Sequence, residues 1–183
     1  INDSRKSRDL EKYFRRYSKQ ERDKVKHISV DFYSGYIYLA KKLFKNADIS
    51  IDRFHIVIQA YNALNSIRVS LCKKDNPNYN KLKDYWKLIV KNEKDLSEEK
   101  QYSKHFHRNM TQKEIVQYVI NTDVTLKATY ECYQGLINSL KEKDFNKFKA
   151  IVFNQNKNLS PKMKQALKLY KENIKYIENS FKY

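Results

Sequence analysis

The sequence predicts an α+β fold that is mostly α-helical, with a single small parallel sheet. Three observations predict it. Two glycines and two prolines in 183 residues leave too little turn chemistry for a loop-rich all-β chain. A 32% charged, 14% aromatic composition fits amphipathic helices around a tyrosine-rich interior. Between His27 and Val57, two short β-branched runs enclose a segment with helical spacing.

Composition narrows the classes. The length suits one or two small domains with a real core. A net charge of +17 and a pI near 9.7 favour nucleic acid or an anionic surface as partner. No apolar run reaches the roughly 18 residues of a membrane span, and no signal-peptide pattern is present. Cys72 and Cys132 stand apart without a Cys-x-x-Cys partner, as expected of reduced, buried thiols in a cytoplasmic protein. The chain opens on Ile1 and is expected to be a piece of something longer.

The first element is a helix from Ser7 to about Ser18, with Leu10, Phe14 and Tyr17 as its apolar stripe. Arg8, Lys12, Arg15 and Lys19 recur at 4, 3 and 4 and form a basic face, a solvated surface in its simplest reading. Next come Ile28-Ser29-Val30, ending on Asp31, and Ile49-Ser50-Ile51, ending on Asp52. The segment between them has apolar residues at 36/37, 40 and 43/44, which makes a strand–helix–strand crossover with parallel strands over 27–31 and 48–52. Both aspartates then share the carboxyl edge of the sheet, where α/β proteins tend to bind ligands. Each also has a simpler reading as a helix N-cap.

A long helix follows over 53–73, with Phe54, Val57, Tyr61, Leu64 and Leu71 inward, ended by the loop around Pro77. Residues 79–91 read as a helix with Tyr85, Trp86 and Ile89 inward. The pattern is weak over 92–110, and His105 and His107 read as surface residues because no further ligand stands at metal-site spacing. Thr111 and Glu114 form a capping box. Leu126, Tyr130, Tyr133, Ile137 and Leu140 make one seam, and a short helix holds Phe145, Phe148 and Val152. A last helix starts at Ser160-Pro161 and carries Met163, Leu167, Tyr170, Ile174, Ile177 and Phe181. Beside that seam Lys164, Lys168, Lys171 and Lys175 form a stripe, either a phosphate-binding face or a product of lysine-rich composition.

The segments DFYSGY, KLFKNADISIDRFH and NALNSIR, with DVTLKATYECYQGLINSL and the final IENSFKY, resemble bacterial insertion-sequence transposases of the ISL-three branch. These carry a DDE, RNase H-like catalytic domain, and the resemblance covers most of the chain. It implies a partial RNase H-like core over 1–73 and a helical, bundle-like insertion over 74–183. It aligns Asp31 with the second acidic residue of the catalytic triad, a ligand for Mg²⁺ or Mn²⁺ in a centre of two metals about 3.5–4 Å apart. The box Asp52-Arg53-Phe54-His55 matches an accessory motif, with Asp52 and His55 supporting the site. The implied partner is double-stranded DNA, transposon ends and target, touched by Arg8, Lys12, Arg15, Lys19, Arg53, Lys164, Lys168, Lys171 and Lys175.

The triad's first aspartate and final glutamate have no match here; Glu172 and Glu178 do not fit the motif. The chain alone is therefore expected to be inactive and to hold no metal. Loss of flanking strands would leave strand 27–31 with an open edge, so self-association is expected. The alternative is a non-catalytic basic helical module that binds DNA or a protein, in which Asp31 and Asp52 are caps only.

Overall fold

The computed structural model describes residues 7–154 and 156–183; residues 1–6 and 155, which belong to the expected 1–73 and 74–183 domains, lie outside the described residues. In chain order the elements are α1 (Ser7–Phe14), α2 (Lys19–Asp23), β1 (His27–Val30), α3 (Ser34–Leu43), β2 (Asp48–Ile51) and α4 (Arg53–Leu71). They continue with α5 (Tyr79–Asp84), α6 (Trp86–Val90), β3 (Gln101–Ser103), β4 (Arg108–Met110), α7 (Gln112–Ile120) and α8 (Val124–Lys141). The last three are α9 (Phe145–Phe153), α10 (Pro161–Glu172) and α11 (Ile174–Ser180). The fold is α+β and mostly helical. No described helix is long and apolar enough to cross a membrane. The chain forms two compact units, Ile1–Ile56 with Asn173–Tyr183, and Val57–Glu172.

The first unit is built on the crossover. β1 and β2 pair in parallel, with His27 opposite Asp48 and Val30 opposite Ile51. β-branched residues favour the pleated strands, and α3 between them buries Ile37, Leu39, Ala40 and Leu43. Leu10 and Phe14 of α1 pack with Val25 and Ile28 against Leu39, Leu43 and Phe44. Across that contact Glu11 accepts from both Arg15 and Lys42, at 2.7 and 2.8 Å. The outer edge of β2 is covered by α11: Asn179 Nδ2 donates to the Ile49 carbonyl, and Ser180 Oγ donates to that of Ile51. His27 stacks on Tyr183 at 3.9 Å, and Tyr183 donates its hydroxyl to Asp48.

The second unit is a helical assembly. Leu64, Leu82, Ile89, Val116, Leu126, Leu136, Phe148, Val152, Met163 and Tyr170 are fully buried. α9 packs on both α8 and α10. Gly135 lets α9 come close, since a Cβ there would stand 2.8 Å from Ile151 Cδ1. The buried Gln134 amide ties the 91–93 turn to α8: it donates to the Lys91 carbonyl and accepts from the Glu93 amide. Both capping predictions at 111 and 160 correspond to real bonds, Glu114 N to Thr111 Oγ1 and Met163 N to Ser160 Oγ.

Several expectations are corrected. The first helix ends at Phe14 rather than Ser18, because Ser18 and Glu21 form a capping box that starts α2. The 79–91 helix breaks at Tyr85, and the last helix breaks at Asn173 (φ −112°, ψ 14°). Residues 101–110 form an antiparallel hairpin, with His107 at φ 51° in its turn. Phe54 is 65% exposed instead of inward. The two cysteines are free and half-buried; burial pushes the Cys132 thiol up to about 12.

Candidate functional site

The crossover sets the geometry of the site. Because Val30 lies opposite Ile51, Asp31 and Asp52 are the next matched positions on adjacent strands, whose axes run about 4.8 Å apart. The Asp52 amide, donating to the Val30 carbonyl at 2.8 Å, carries the ladder to this edge. Both aspartates then make the same local turn. Asp31 Oδ1 accepts from the Tyr33 amide at 2.8 Å, and Asp52 Oδ1 accepts from the Phe54 amide at 2.9 Å. Neither turn involves Oδ2.

The turns differ in what they cap. Asp52 immediately precedes α4 and is its N-cap, with its side chain on the second helical amide. Asp31 lies outside its helix: α3 starts at Ser34, and Tyr33 is the capping residue. Capping therefore accounts for Asp52 more fully than for Asp31. His55 is half-buried, and its amide donates to the Asp52 carbonyl at 3.0 Å. Asp31, Asp52 and His55 line one end of a cleft of about 580 Å³ whose wall is otherwise mainly apolar, formed by Leu10, Phe14, Ile28 and Leu39 among others.

The resemblance implies divalent metals, which prefer several hard oxygen donors per ion. Among the described residues no group of three or more His, Cys, Asp or Glu is arranged to hold a metal ion. Two carboxylates, each with one oxygen engaged in a turn, do not complete a two-metal centre.

The basic residues are dispersed. Arg8 and Lys12 lie exposed on α1, Arg15 just beyond its end is held by Glu11, and Lys19 opens α2. They do not share one helical face. Arg53 is half-buried, with Nε donating to the Ser180 carbonyl at 2.8 Å. Lys164, Lys168 and Lys171 follow one another on α10. Lys164 donates to the Lys157 carbonyl, Lys168 lies 4.0 Å from Glu172, and Lys171 lies over the Phe153 ring. Lys175 belongs to α11 in the other unit.

Two features escaped sequence reasoning. His105 is not a simple surface residue: its Nε2 contacts Asp84 Oδ2 at 2.6 Å, which lowers the Asp84 pKa. Tyr33 and Phe54, each two residues beyond an edge aspartate, are 57% and 65% exposed. The shared spacing Asp-x-aromatic in both stretches is the signal that could have found them.

Comparison with known proteins agrees with the resemblance of the sequence. A family model described as a transposase, that of the ISL-three group, matches residues 1–183. No curated protein and no solved structure matches the chain. The chain belongs to the ISL-three transposase family.

Proposed function

We propose that this chain works in metal-dependent DNA cleavage and strand transfer by an insertion-sequence transposase of the DDE class. The observation that carries the reading is the register of β1 and β2, which sets Asp31 and Asp52 side by side at one carboxyl edge, in a chain of this family. Asp31 contributes one carboxylate to the Mg²⁺ or Mn²⁺ site. It suits that role better than Asp52 because its side chain is not the cap of a helix. In a completed centre Asp31 would hold such a metal, whose chemistry would be activation of the attacking oxygen and stabilisation of the leaving one. Asp52 and His55 support the edge: Asp52 fixes the start of α4, and His55 lines the cleft beside it.

The carboxylates present are too few for two metals, so residues 1–183 assayed alone are expected to bind DNA without cutting it. The exposed basic residues Arg8, Lys12, Arg15, Lys19, Lys164, Lys168 and Lys175, with the half-buried Lys171, hold the DNA backbone, whereas Arg53 is turned to the Ser180 carbonyl. β1 also has an outer edge, where the backbone groups of His27 and Ser29 point away from β2 by strand alternation. That edge is the proposed surface for self-association.

A rival reading, a basic helical binding module, rests on the turns made by Asp31 and Asp52. Asp31→Asn in the complete gene product separates the two. The transposase reading expects DNA to be bound and not cut. Unchanged cleavage would leave Asp31 a turn residue only.

A further inference from the structure

Within Val57–Glu172 lies a polar cleft of about 740 Å³. Arg68 of α4, Lys83 and Asp84 at the end of α5, Trp86 at the start of α6, and Lys104 and His105 of the hairpin turn line it. The hairpin turn is fastened to the break between α5 and α6, which holds this lining in place. His105 Nε2 meets Asp84 Oδ2 at 2.6 Å, the hydroxyls of Tyr85 and Ser103 join, and Tyr85 meets the His105 ring edge-on at 5.5 Å. Lys104 is thereby carried to 3.6 Å from Asp84. Arg68 is fixed as well: Asn65 Oδ1 accepts from its Nε and Nη2 at 3.0 and 2.8 Å, and the Leu82 carbonyl accepts from its Nη1 at 3.0 Å. Those acceptors are neutral and leave the guanidinium charge uncompensated among the described residues. Lys83 is exposed, with its ammonium 5.6 Å from the centre of the Tyr79 ring. Three permanent cations therefore border the cleft against one carboxylate, Asp84, which His105 already engages. Such an excess of like charge is unfavourable by itself and is offset when an anion enters.

We propose that this cleft is a phosphate-binding site, in which Lys83 and Lys104 donate to phosphate oxygens and Arg68 is a fixed positive charge in the wall. The phosphate is that of a DNA backbone or of a free nucleotide; the DNA source rests on the proposed function, whereas the site itself does not. A lone surface lysine attracts an anion weakly, but cations set around one concave surface focus their potential there. Lysine-rich composition does not produce this grouping, because no helical stripe connects the three cations. They come from α4, α5 and the hairpin, and the fold brings them together. Asp84 positions the site by holding His105 and the turn, and it keeps Lys104 at the rim. The cleft also contains its own reporter. Trp86 is the single tryptophan of the chain, so its emission reads what happens in this cleft.

The test titrates the chain with a short labelled DNA duplex and, separately, with inorganic phosphate, in buffer without divalent metal. Trp86 emission reads the cleft, and anisotropy of the label reads total DNA binding in parallel. Both ligands are expected to change the emission saturably and in the same sense. Lys83→Ala and Lys104→Ala, at exposed positions, should each weaken the emission response about fivefold and lower the salt slope of DNA binding by about one. Lys83→Arg and Lys104→Arg, which keep the charge, should respond as wild type. So should Lys113→Ala, exposed on α7 outside the cleft. A response to duplex DNA that the alanine variants weaken assigns the site to the DNA backbone, and one to phosphate alone assigns it to free phosphates. Emission unchanged by both ligands, or alanine variants that respond like wild type, would overturn the inference even where anisotropy shows DNA bound. Absence of DNA binding with the phosphate response intact would instead overturn the proposed function and leave the site standing.

Discussion

At Asp52 one carboxyl oxygen is committed to starting a nineteen-residue helix, and any role in the site shares that carboxylate with the fold. Asp52→Ala is expected to destabilise the protein by about 1 kcal/mol in urea unfolding, while Asp52→Asn retains most of the cap. Asp31→Ala removes a turn bond outside the helix and should cost less. The places of Asp31 and Asp52, just past the ends of β1 and β2, were legible because a β-branched run ending in aspartate is a local pattern, whereas His55 entered only through the family resemblance. Tyr33 and Phe54 were not legible. Helical spacing links Phe54 to Val57 and Tyr61, yet the first turn of a helix projects past the core it leads into. Another residue-level expectation concerns acid. Glu142 accepts from Lys94 and Lys147, which hold its carboxyl down to about 2. A depressed carboxylate contributes stability that is fully present above its ordinary value near 4.5 and is lost as pH falls toward about 2. Unfolding followed between those pH values should show a smaller loss in Glu142→Gln than in wild type.

Among the elements, β2 is engaged along both edges. Its inner edge pairs with β1, and its outer carbonyls at Ile49 and Ile51 are taken by Asn179 and Ser180. Removing either side chain strands a carbonyl. Ser180→Ala, at a buried position, is expected to cost about 1–3 kcal/mol, measured by urea unfolding; a value near zero would mean that water replaces the hydroxyl. The strands and long helices were legible because β-branched runs and apolar seams are strong signals. The hairpin at 101–110 was not, since Gln-Tyr-Ser and Arg-Asn-Met carry no β-branched alternation. The break at Asn173 was hidden because the apolar rhythm of Tyr170, Ile174 and Ile177 passes through it unchanged. The break after Phe14 could have been read, since Ser18 and Glu21 already spell a capping box.

For the whole molecule, a net charge of +17 means that duplex affinity should fall steeply with salt. With six or more phosphates neutralised, raising salt from about 50 to 200 mM should weaken binding roughly a thousandfold by counterion return. A shallow dependence would confine the lysines to surface chemistry. Charge and family speak to DNA in general, whereas the register of β1 and β2 speaks to chemistry at one edge. The most direct measurement is therefore cleavage of labelled duplex DNA in Mg²⁺ by the complete product of this gene, comparing wild type, Asp31→Asn and Asp52→Asn under conditions where DNA binding is measured in parallel. All three should bind DNA. Asp31→Asn should lose cleavage by at least about a hundredfold, as expected when an electrostatic group at the reacting centre is removed, while Asp52→Asn keeps most of it. Cleavage by Asp31→Asn at the wild-type rate would contradict the assignment of Asp31 as a metal ligand.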